Sequence, residues 1–226
     1  MVREHKFISP LASPDIAAGI VRAYCIPDPE HPTGDLESIY FDDAALSSYW
    51  EKANGDALKR KVRIRWYHGS KMSATTTAFL EIKDRIGSAR DKARHSFEAS
   101  LPLLESAPFD SDGLVRLLAQ AAEEAGFAIP RGLMPSVAIR YKRFRYICPA
   151  TGSRVSIDFD ISCTRANSTI FTTSGPLRCR YVVCEAKSDS AREWPFGDDM
   201  MRLGFRMQSF SKYGHFTERL LQGGFE

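Results

Sequence analysis

The sequence predicts an α+β fold in which about eight mostly antiparallel strands close into a barrel with a charged interior and flanking helices. Three observations predict it. Most predicted strands alternate with a period of two, so charged side chains collect on one face and apolar side chains on the other. The charged faces are rich in arginine and carboxylates rather than in threonine, serine and glutamine. The predicted helices can cover the apolar faces, which would turn the charged faces inward to line a tunnel.

The predicted strands follow one another along most of the chain. Strand-like segments are residues 3–8, 36–41, 58–67, 74–85, 134–147, 154–161 and 177–187. Residues 90–97 fit a strand, but their composition fits a helix equally well. The segments 134–147 and 154–161 form a predicted hairpin, because Pro149 and Gly152 mark a turn between them.

The predicted helices are placed by their end signals. Ser13 is an N-cap followed by Pro14, which starts a helix to about residue 24, and Gly126 stops a helix that covers residues 111–125. Further helices are expected at residues 44–52, 194–207 and 213–221. The chain has no internal repeat, low-complexity tract or obvious break, so residues 1–226 are expected to form a single domain.

Composition excludes several classes of protein. The 226 residues are 43% hydrophobic and 26% charged, which are ordinary globular values, and the net charge of +3 is not that of a polybasic nucleic-acid-binding protein. No apolar run is long enough for a membrane helix, and the charged N-terminus lacks a signal core. Five cysteines without a C-x-x-C pair are typical of reduced thiols, so a cytoplasmic protein is expected, and the scattered histidines do not indicate zinc.

Charged residues share faces on nearly every predicted strand. Along residues 58–67, Lys61, Arg63, Arg65 and Tyr67 lie on one face, and Val62, Ile64 and Trp66 on the other. Similar sets are Glu4 with Lys6, Glu81 with Lys83, Tyr141 with Arg143 and Arg145, Arg154 with Ser156, Asp158 and Asp160, and Glu185 with Lys187. The apolar faces are expected to carry Trp66, Phe79, Phe159 and Ile161. For a single strand, a solvated polar face is the simpler explanation.

The recurrence of these faces indicates a bound polyanion. Arginine binds phosphate oxygens bidentately, and lysine supplies point charges. Carboxylates among them can hold Mg²⁺ or Mn²⁺. The sequence lacks a P-loop and a kinase glycine-rich loop, so side chains would have to hold the phosphates.

The ordered motifs resemble those of the VTC-type domain, the polyphosphate-polymerase branch of the triphosphate tunnel metalloenzymes. They are residues 38–42 (SIYFD), 60–67 (RKVRIRWY), 79–83 (FLEIK), 154–158 (RVSID), 184–187 (CEAK) and 211–213 (SKY). The resemblance implies a closed antiparallel β-tunnel flanked by helices.

The resemblance also implies roles for individual residues. Arg63, Arg65, Lys83, Arg143, Arg154 and Glu185 would be catalytic. Contacts to phosphate would further come from Lys6, Lys92, Lys187 and Lys212, with Tyr141 and Ser211 adding hydrogen bonds. Glu185 would be the main ligand of Mn²⁺ or Mg²⁺, with Glu4 and Glu81 as further candidates. The choice between Lys92 and Arg94 stays open, as do the roles of Asp158 and Asp160, for which orienting Arg143 and Arg154 is favoured over assisting the metal.

The implied activity is transfer of the γ-phosphate of ATP onto inorganic polyphosphate, with ATP and polyphosphate or triphosphate as ligands and no nucleic acid. Two alternatives remain open: a phosphohydrolase acting on triphosphate or nucleoside triphosphates, in which Glu4 or Glu81 would orient a water, and a non-catalytic polyphosphate-binding module. The hydrolase branch opens with E-x-E-x-K, and Val2 stands at the first glutamate position, which counts against a triphosphatase.

Overall fold

The computed structural model describes residues 3–10, 12–69, 73–87, 89–172, 176–188 and 194–223. Val2, which bears on the triphosphatase alternative, lies outside the described residues. Within them the chain forms six helices: α1 (Pro14–Arg22), α2 (Ser47–Ala53), α3 (Leu101–Ser106), α4 (Asp112–Ala125), α5 (Gly197–Arg202) and α6 (Lys212–Leu221).

The same residues form eleven strands. They are β1 (Arg3–Ser9), β2 (Ile26–Pro27), β3 (Thr33–Asp42), β4 (Leu58–Tyr67), β5 (Thr75–Ile86), β6 (Ala89–Ser100), β7 (Met134–Cys148), β8 (Ser153–Ala166), β9 (Leu177–Cys179), β10 (Val182–Ser188) and β11 (Arg206–Met207). Strands β2, β9 and β11 are only two or three residues long, so the eight longer strands match the predicted number. The segment at 90–97 is a strand, and the strand predicted at 177–187 is split into β9 and β10.

The helix end signals account for most helix positions. The Ser13 hydroxyl accepts a hydrogen bond from the Ile16 N–H at 3.2 Å, and Gly126 ends α4 with a left-handed φ of 65°. The helix predicted at 194–207 is wrong in length, because α5 ends before Gly204, which takes a φ of 81°, and the chain then enters β11. Helix α3 was not predicted from the sequence, although Ser100 caps it.

The chain divides into two compact units. The first consists of Met1–Asp35, Tyr141–Ser162 and Arg178–Ser211, and the second of Leu36–Arg140, Cys163–Leu177 and Lys212–Glu226. Hydrogen-bonded strand neighbours follow the order β11-β1-β10-β8-β7 in the first unit and β7-β3-β4-β5-β6 in the second. The fold is therefore α+β with a large antiparallel sheet. The described pairings do not close it into a barrel, so closure stays a prediction.

Each unit has its own apolar core beneath helices. In the second unit, Val62, Ile64 and Trp66 of β4 are buried together with Leu114 and Leu118 of α4. The predicted apolar face of β4 is confirmed, and α4 covers it.

In the first unit, Val155 and Ile157 of β8 are buried together with Val21 of α1 and Met200 of α5. All five cysteines are buried as thiols. No helix in the described part of the chain is long and apolar enough to cross a membrane.

Candidate functional site

The strand register of the second unit aligns the charged faces of β3, β4, β5 and β6 into three rows. Directly opposed residues share a face of a sheet, so each row crosses the strands side by side. The rows are Ser38–Arg65–Phe79–Ser96, Tyr40–Arg63–Glu81–Arg94 and Lys61–Lys83–Lys92. This alignment brings together four of the sequence-predicted phosphate ligands, namely Arg63, Arg65, Lys83 and Lys92.

Four cationic side chains surround the Glu81 carboxylate, and together these five residues are called the Glu81 cluster. Arg63 donates to Glu81 Oε2 through Nε at 2.7 Å and also through Nη2. Arg65 Nη1 lies 3.6 Å from the same oxygen, while Lys92 Nζ and Arg94 Nε lie 3.3 and 3.7 Å from Oε1. Lys92 and Arg94 therefore both face Glu81, and the choice between them as a phosphate ligand stays open.

The Glu81 cluster is net cationic, and its centre is buried while Lys92 and Arg94 at its edge are exposed. Glu81 is 2% exposed and Arg65 is 6% exposed. A solvated polar face, which is the simpler explanation for a single strand, would leave both side chains exposed. Burial alone would raise the pKa of Glu81, but Arg63, Arg65 and Lys92 hold it well below its ordinary value of 4.5. Glu81 is thus an ionised internal counter-ion, and four cations for one carboxylate leave an excess of positive charge suited to an anion.

A row of three lysines lies beside the Glu81 cluster. Lys61 stands opposite Lys83, and Lys83 stands opposite Lys92, so like charges face each other across three strands. Like charges directly opposed on a sheet destabilise it. Lys92 of this lysine row also lies 3.3 Å from Glu81, and the row adds positive charge to the same face of the sheet.

Helix α6 contacts the charged face at β3. The Tyr213 ring stacks on the Tyr40 ring with centroids 5.2 Å apart, and the Tyr213 hydroxyl donates to Asp42. The Tyr40 hydroxyl accepts a hydrogen bond from Arg63 Nη1 at 2.9 Å. Tyr40 thus orients Arg63, a role that the sequence did not indicate because Tyr40 lies within an apolar motif.

Phe79 also lies on the charged face, which corrects the expectation that it belongs to an apolar face. It stands opposite Arg65, whereas the core residues of β5 are Ala78, Leu80 and Ile82. The physical reason is the strict period of two, which gives Phe79 and Glu81 the same side of β5.

A second charged cluster, the Glu185 cluster, lies in the first unit and contains Glu4, Lys6, Glu185 and Lys187. The register pairs Glu4 with Lys187 and Lys6 with Glu185. Lys6 Nζ lies 2.9 Å from Glu4 Oε1 and 3.3 Å from Glu185 Oε2, and Lys187 Nζ lies 2.5 Å from Glu185 Oε1. Burial alone would raise the pKa of Glu185, but Lys6 and Lys187 hold it well below 4.5.

The neighbouring pair in the first unit is Arg143 with Asp158. Arg143 donates to both carboxylate oxygens of Asp158, at 2.5 and 2.8 Å, and its guanidinium lies 5.3 Å from the centroid of the Tyr141 ring. Burial alone would lower the pKa of Arg143, but Asp158 raises it well above its ordinary value. This geometry matches the favoured orienting role for Asp158. Asp160 instead pairs with Lys142 at 2.9 Å, on an exposed site.

The remaining predicted residues are more peripheral. Arg154 is exposed and stands opposite Lys187 in the register of β8 and β10. Lys212 is half-buried at the first position of α6, directly after Ser211. The Lys6 ammonium also donates to the carbonyl of Phe210 at 3.1 Å, which joins β1 to the chain just before Ser211.

Glu4 and Glu185 could hold a hard divalent cation only where Lys6 and Lys187 give up their contacts with these carboxylates. No group of three or more metal-ligating side chains is found among the residues that the structure describes. However, Mg²⁺ is usually held by one or two carboxylates together with substrate phosphates, and Glu4 and Glu185 approach the same ammonium nitrogen. Glu81 fits poorly, because its oxygens face four cations.

Sequence reasoning missed several residues of the second unit's charged face. Lys61 was placed on this face but was not assigned to phosphate, and Ser38, whose hydroxyl accepts from Arg65 Nε at 3.0 Å, was seen only as part of a motif. The period of two signalled Lys61. Nothing local signalled Ser38 or Tyr40, because their roles depend on the register of β3 with β4.

The second unit thus carries a net-cationic sheet face, and the first unit carries a strand face on which carboxylates and lysines pair. The VTC domain family matches residues 13–221, and the chain belongs to this family, a CYTH-like triphosphate tunnel domain associated with polyphosphate synthesis. The family includes polyphosphate polymerases. No curated protein matches the chain.

Proposed function

We propose that this chain is a metal-dependent phosphotransferase that makes inorganic polyphosphate from ATP, that residues 1–226 form a single VTC-type domain, and that its sheet closes into a basic tunnel. The observation that carries the proposal is the lysine row beside the Glu81 cluster, on one face of β4, β5 and β6. A repeating polyanion matches such successive rows of positive charge, since each phosphate brings its own negative charge.

The proposed binding step uses charge and geometry. Arg63 and Arg65 are held in place by Glu81, Tyr40 and Ser38, so their guanidinium groups keep a fixed orientation on the charged face where a phosphate would bind. Pre-oriented side chains lose little conformational entropy when a ligand binds, so more of their interaction energy contributes to affinity. Lys83, exposed on the same face, adds a point charge.

The proposed chemical step is an in-line transfer. The terminal phosphate oxygen of the acceptor attacks the γ-phosphorus of ATP, the bond from that phosphorus to the oxygen bridging the β-phosphate breaks, and ADP leaves with the bonding electrons. The acceptor is already an anion, so no general base is needed. Glu185 and Glu4 would hold Mg²⁺ or Mn²⁺, which would neutralise charge on the phosphate oxygens. Lys6 and Lys187 would then be available to the phosphates, while Arg143 would stay oriented by Asp158.

The electrostatics favour transfer over hydrolysis by Glu81. A general base works best with a pKa near the working pH, and neighbouring arginines keep the pKa of Glu81 well below its ordinary value. Glu81 is therefore a poor candidate for activating a water.

The test is to incubate the pure chain with ATP labelled on the γ-phosphate and with Mn²⁺ or Mg²⁺, and to separate the products on a denaturing gel. A ladder of phosphate chains supports the polymerase. Free phosphate alone would identify a hydrolase, and tight polyphosphate binding with neither product would identify a binding module.

A matched pair of variants links the activity to the charged face. Lys83→Gln removes one cation from the lysine row, whereas Lys142→Gln removes an exposed strand lysine that pairs with Asp160. We expect Lys83→Gln to weaken tripolyphosphate binding about tenfold, as for loss of a charged hydrogen-bond donor. Equal effects of the two variants would argue against the lysine row as the binding surface.

A further inference from the structure

The charged face of the second unit carries a phenyl ring, which has no polar group for phosphate. Phe79 is half-buried and lies one row from Glu81, opposite Arg65 and Ser96. It is not a member of the second unit's apolar core. A polyphosphate chain has no apolar surface for a phenyl ring to contact, so phosphate binding alone does not explain Phe79.

Phe79 is the centre of a stack. The Arg94 guanidinium carbon lies 3.8 Å from the centroid of the Phe79 ring. The Tyr67 ring meets Phe79 edge-on, with centroids 6.0 Å apart and an angle of 87° between the ring planes. The Arg94 side chain is 40% exposed, so part of this stack is accessible from outside.

We infer that Phe79 and Arg94 form a nucleobase platform, on which the base of a nucleoside triphosphate stacks while its phosphates lie on the Glu81 cluster. This inference rests on the proposed function, and it assigns the donor of the transferred phosphate to a defined place on β5 and β6. Proteins hold unpaired bases by stacking them on aromatic rings and on arginine planes, as this platform would.

The spacing of the platform suits a nucleotide. Phe79 and Glu81 are two residues apart on one strand, which separates them by about 7 Å. The base and the phosphates of a nucleotide are joined through one ribose, so they can occupy neighbouring rows of the sheet. Stacking uses the flat surface of a base and not its edge, so the platform would accept different bases and favour the larger purines.

The test compares two ligands that share phosphates but differ in the base. Isothermal titration calorimetry with the full chain and Mg²⁺ measures Kd for the β,γ-imido analogue of ATP and for inorganic tripolyphosphate. Phe79→Leu keeps apolar volume but removes the aromatic face, and Arg94→Lys keeps the charge but removes the guanidinium plane. We expect Phe79→Leu to raise Kd for the ATP analogue about tenfold and to change Kd for tripolyphosphate by less than about twofold. Arg94→Lys also alters the Glu81 cluster, so it should raise both Kd values, and we expect the Kd for the ATP analogue to rise about fivefold more than that for tripolyphosphate.

The outcomes separate this inference from the proposed function. If both ligands bind the unaltered chain and each variant changes the two Kd values by the same factor, or changes neither, the platform is refuted while phosphate binding stands. If the unaltered chain binds neither ligand, the proposed function fails and the platform with it. Should Phe79→Leu not fold, as judged by circular dichroism, Arg94→Lys decides, since its side chain is 40% exposed and lies outside the core.

Discussion

Replacing Glu81 with glutamine tests whether the Glu81 carboxylate and a bound polyanion compete for the same cations of the Glu81 cluster. Glu81→Gln keeps the size of the side chain but removes the negative charge that faces Arg63, Arg65, Lys92 and Arg94. The four cations would then lose the carboxylate that they share. The same change should make the face a stronger binding site for a polyanion.

The magnitude follows from the burial of the carboxylate. Glu81 is 2% exposed, and breaking a buried ion pair by removing one partner costs about 3–5 kcal/mol. Glutamine can still accept a hydrogen bond from Arg63, so we expect about 3 kcal/mol, at the lower end of that range. For a chain of this size, that loss lowers the midpoint of thermal unfolding by roughly 6–12 °C.

The assay is thermal unfolding, followed by circular dichroism, with and without tripolyphosphate. Asp84→Asn is the matched control, because Asp84 lies on the same strand and pairs with Arg60 at 2.6 Å, in a more exposed position. We expect this control to lose at most about 1 kcal/mol. Tripolyphosphate should raise the unfolding midpoint of Glu81→Gln more than that of the unaltered chain. If the ligand raises both midpoints equally, Glu81 is not the charge with which the ligand competes.

Four further results are expected. Arg65→Ala should weaken tripolyphosphate binding about tenfold to a hundredfold in calorimetry, and Arg65→Lys should have an intermediate effect. Glu185→Gln should abolish transfer of labelled phosphate with a milder loss of binding. Retained turnover in Glu185→Gln would refute the metal role. Glu81 and Glu185 have lowered pKa values in the folded protein, so the stability that they supply is complete above their ordinary pKa of 4.5 and is lost as the pH falls toward the folded-state pKa values. The urea concentration at the unfolding midpoint should therefore fall between pH 7 and pH 3, and it should fall less steeply for Glu81→Gln. Burial raises the pKa of Cys25 and Cys163 to about 12, so a thiol reagent at pH 8 should label the chain only after unfolding, and rapid labelling of native protein would contradict the buried cysteines.

Much of the fold was predictable because the strands alternate strictly. Val62, Ile64 and Trp66 had to share a face, and burying that face fixed the opposite one for Arg63 and Arg65. Local signals also fixed both ends of α4. They failed at residues 90–97, where pairing with β5 rather than intrinsic preference makes the segment a strand.

The site was less predictable because it depends on register. Sequence periodicity states which residues of one strand share a face, but it does not state which residues of two strands stand opposite each other. The opposition of Lys61, Lys83 and Lys92 and the hydrogen bond from Arg63 to Tyr40 appear only when the strands are paired. Family resemblance supplied most of the remaining residues, without the contacts that position them.

The two faces of β4 and β5 have different roles, and this difference explains how a face with so many positive charges can exist. The apolar face buries Trp66 and Leu80 completely, and this burial stabilises the strands whatever the other face carries. The charged face can therefore hold opposed lysines and closely spaced arginines. Their excess positive charge causes mutual repulsion, which a bound anion would reduce. Part of the free energy that a ligand releases on binding is the relief of this repulsion. A face optimised for the stability of the empty protein would replace Lys83 with a neutral residue, and it would bind phosphate more weakly.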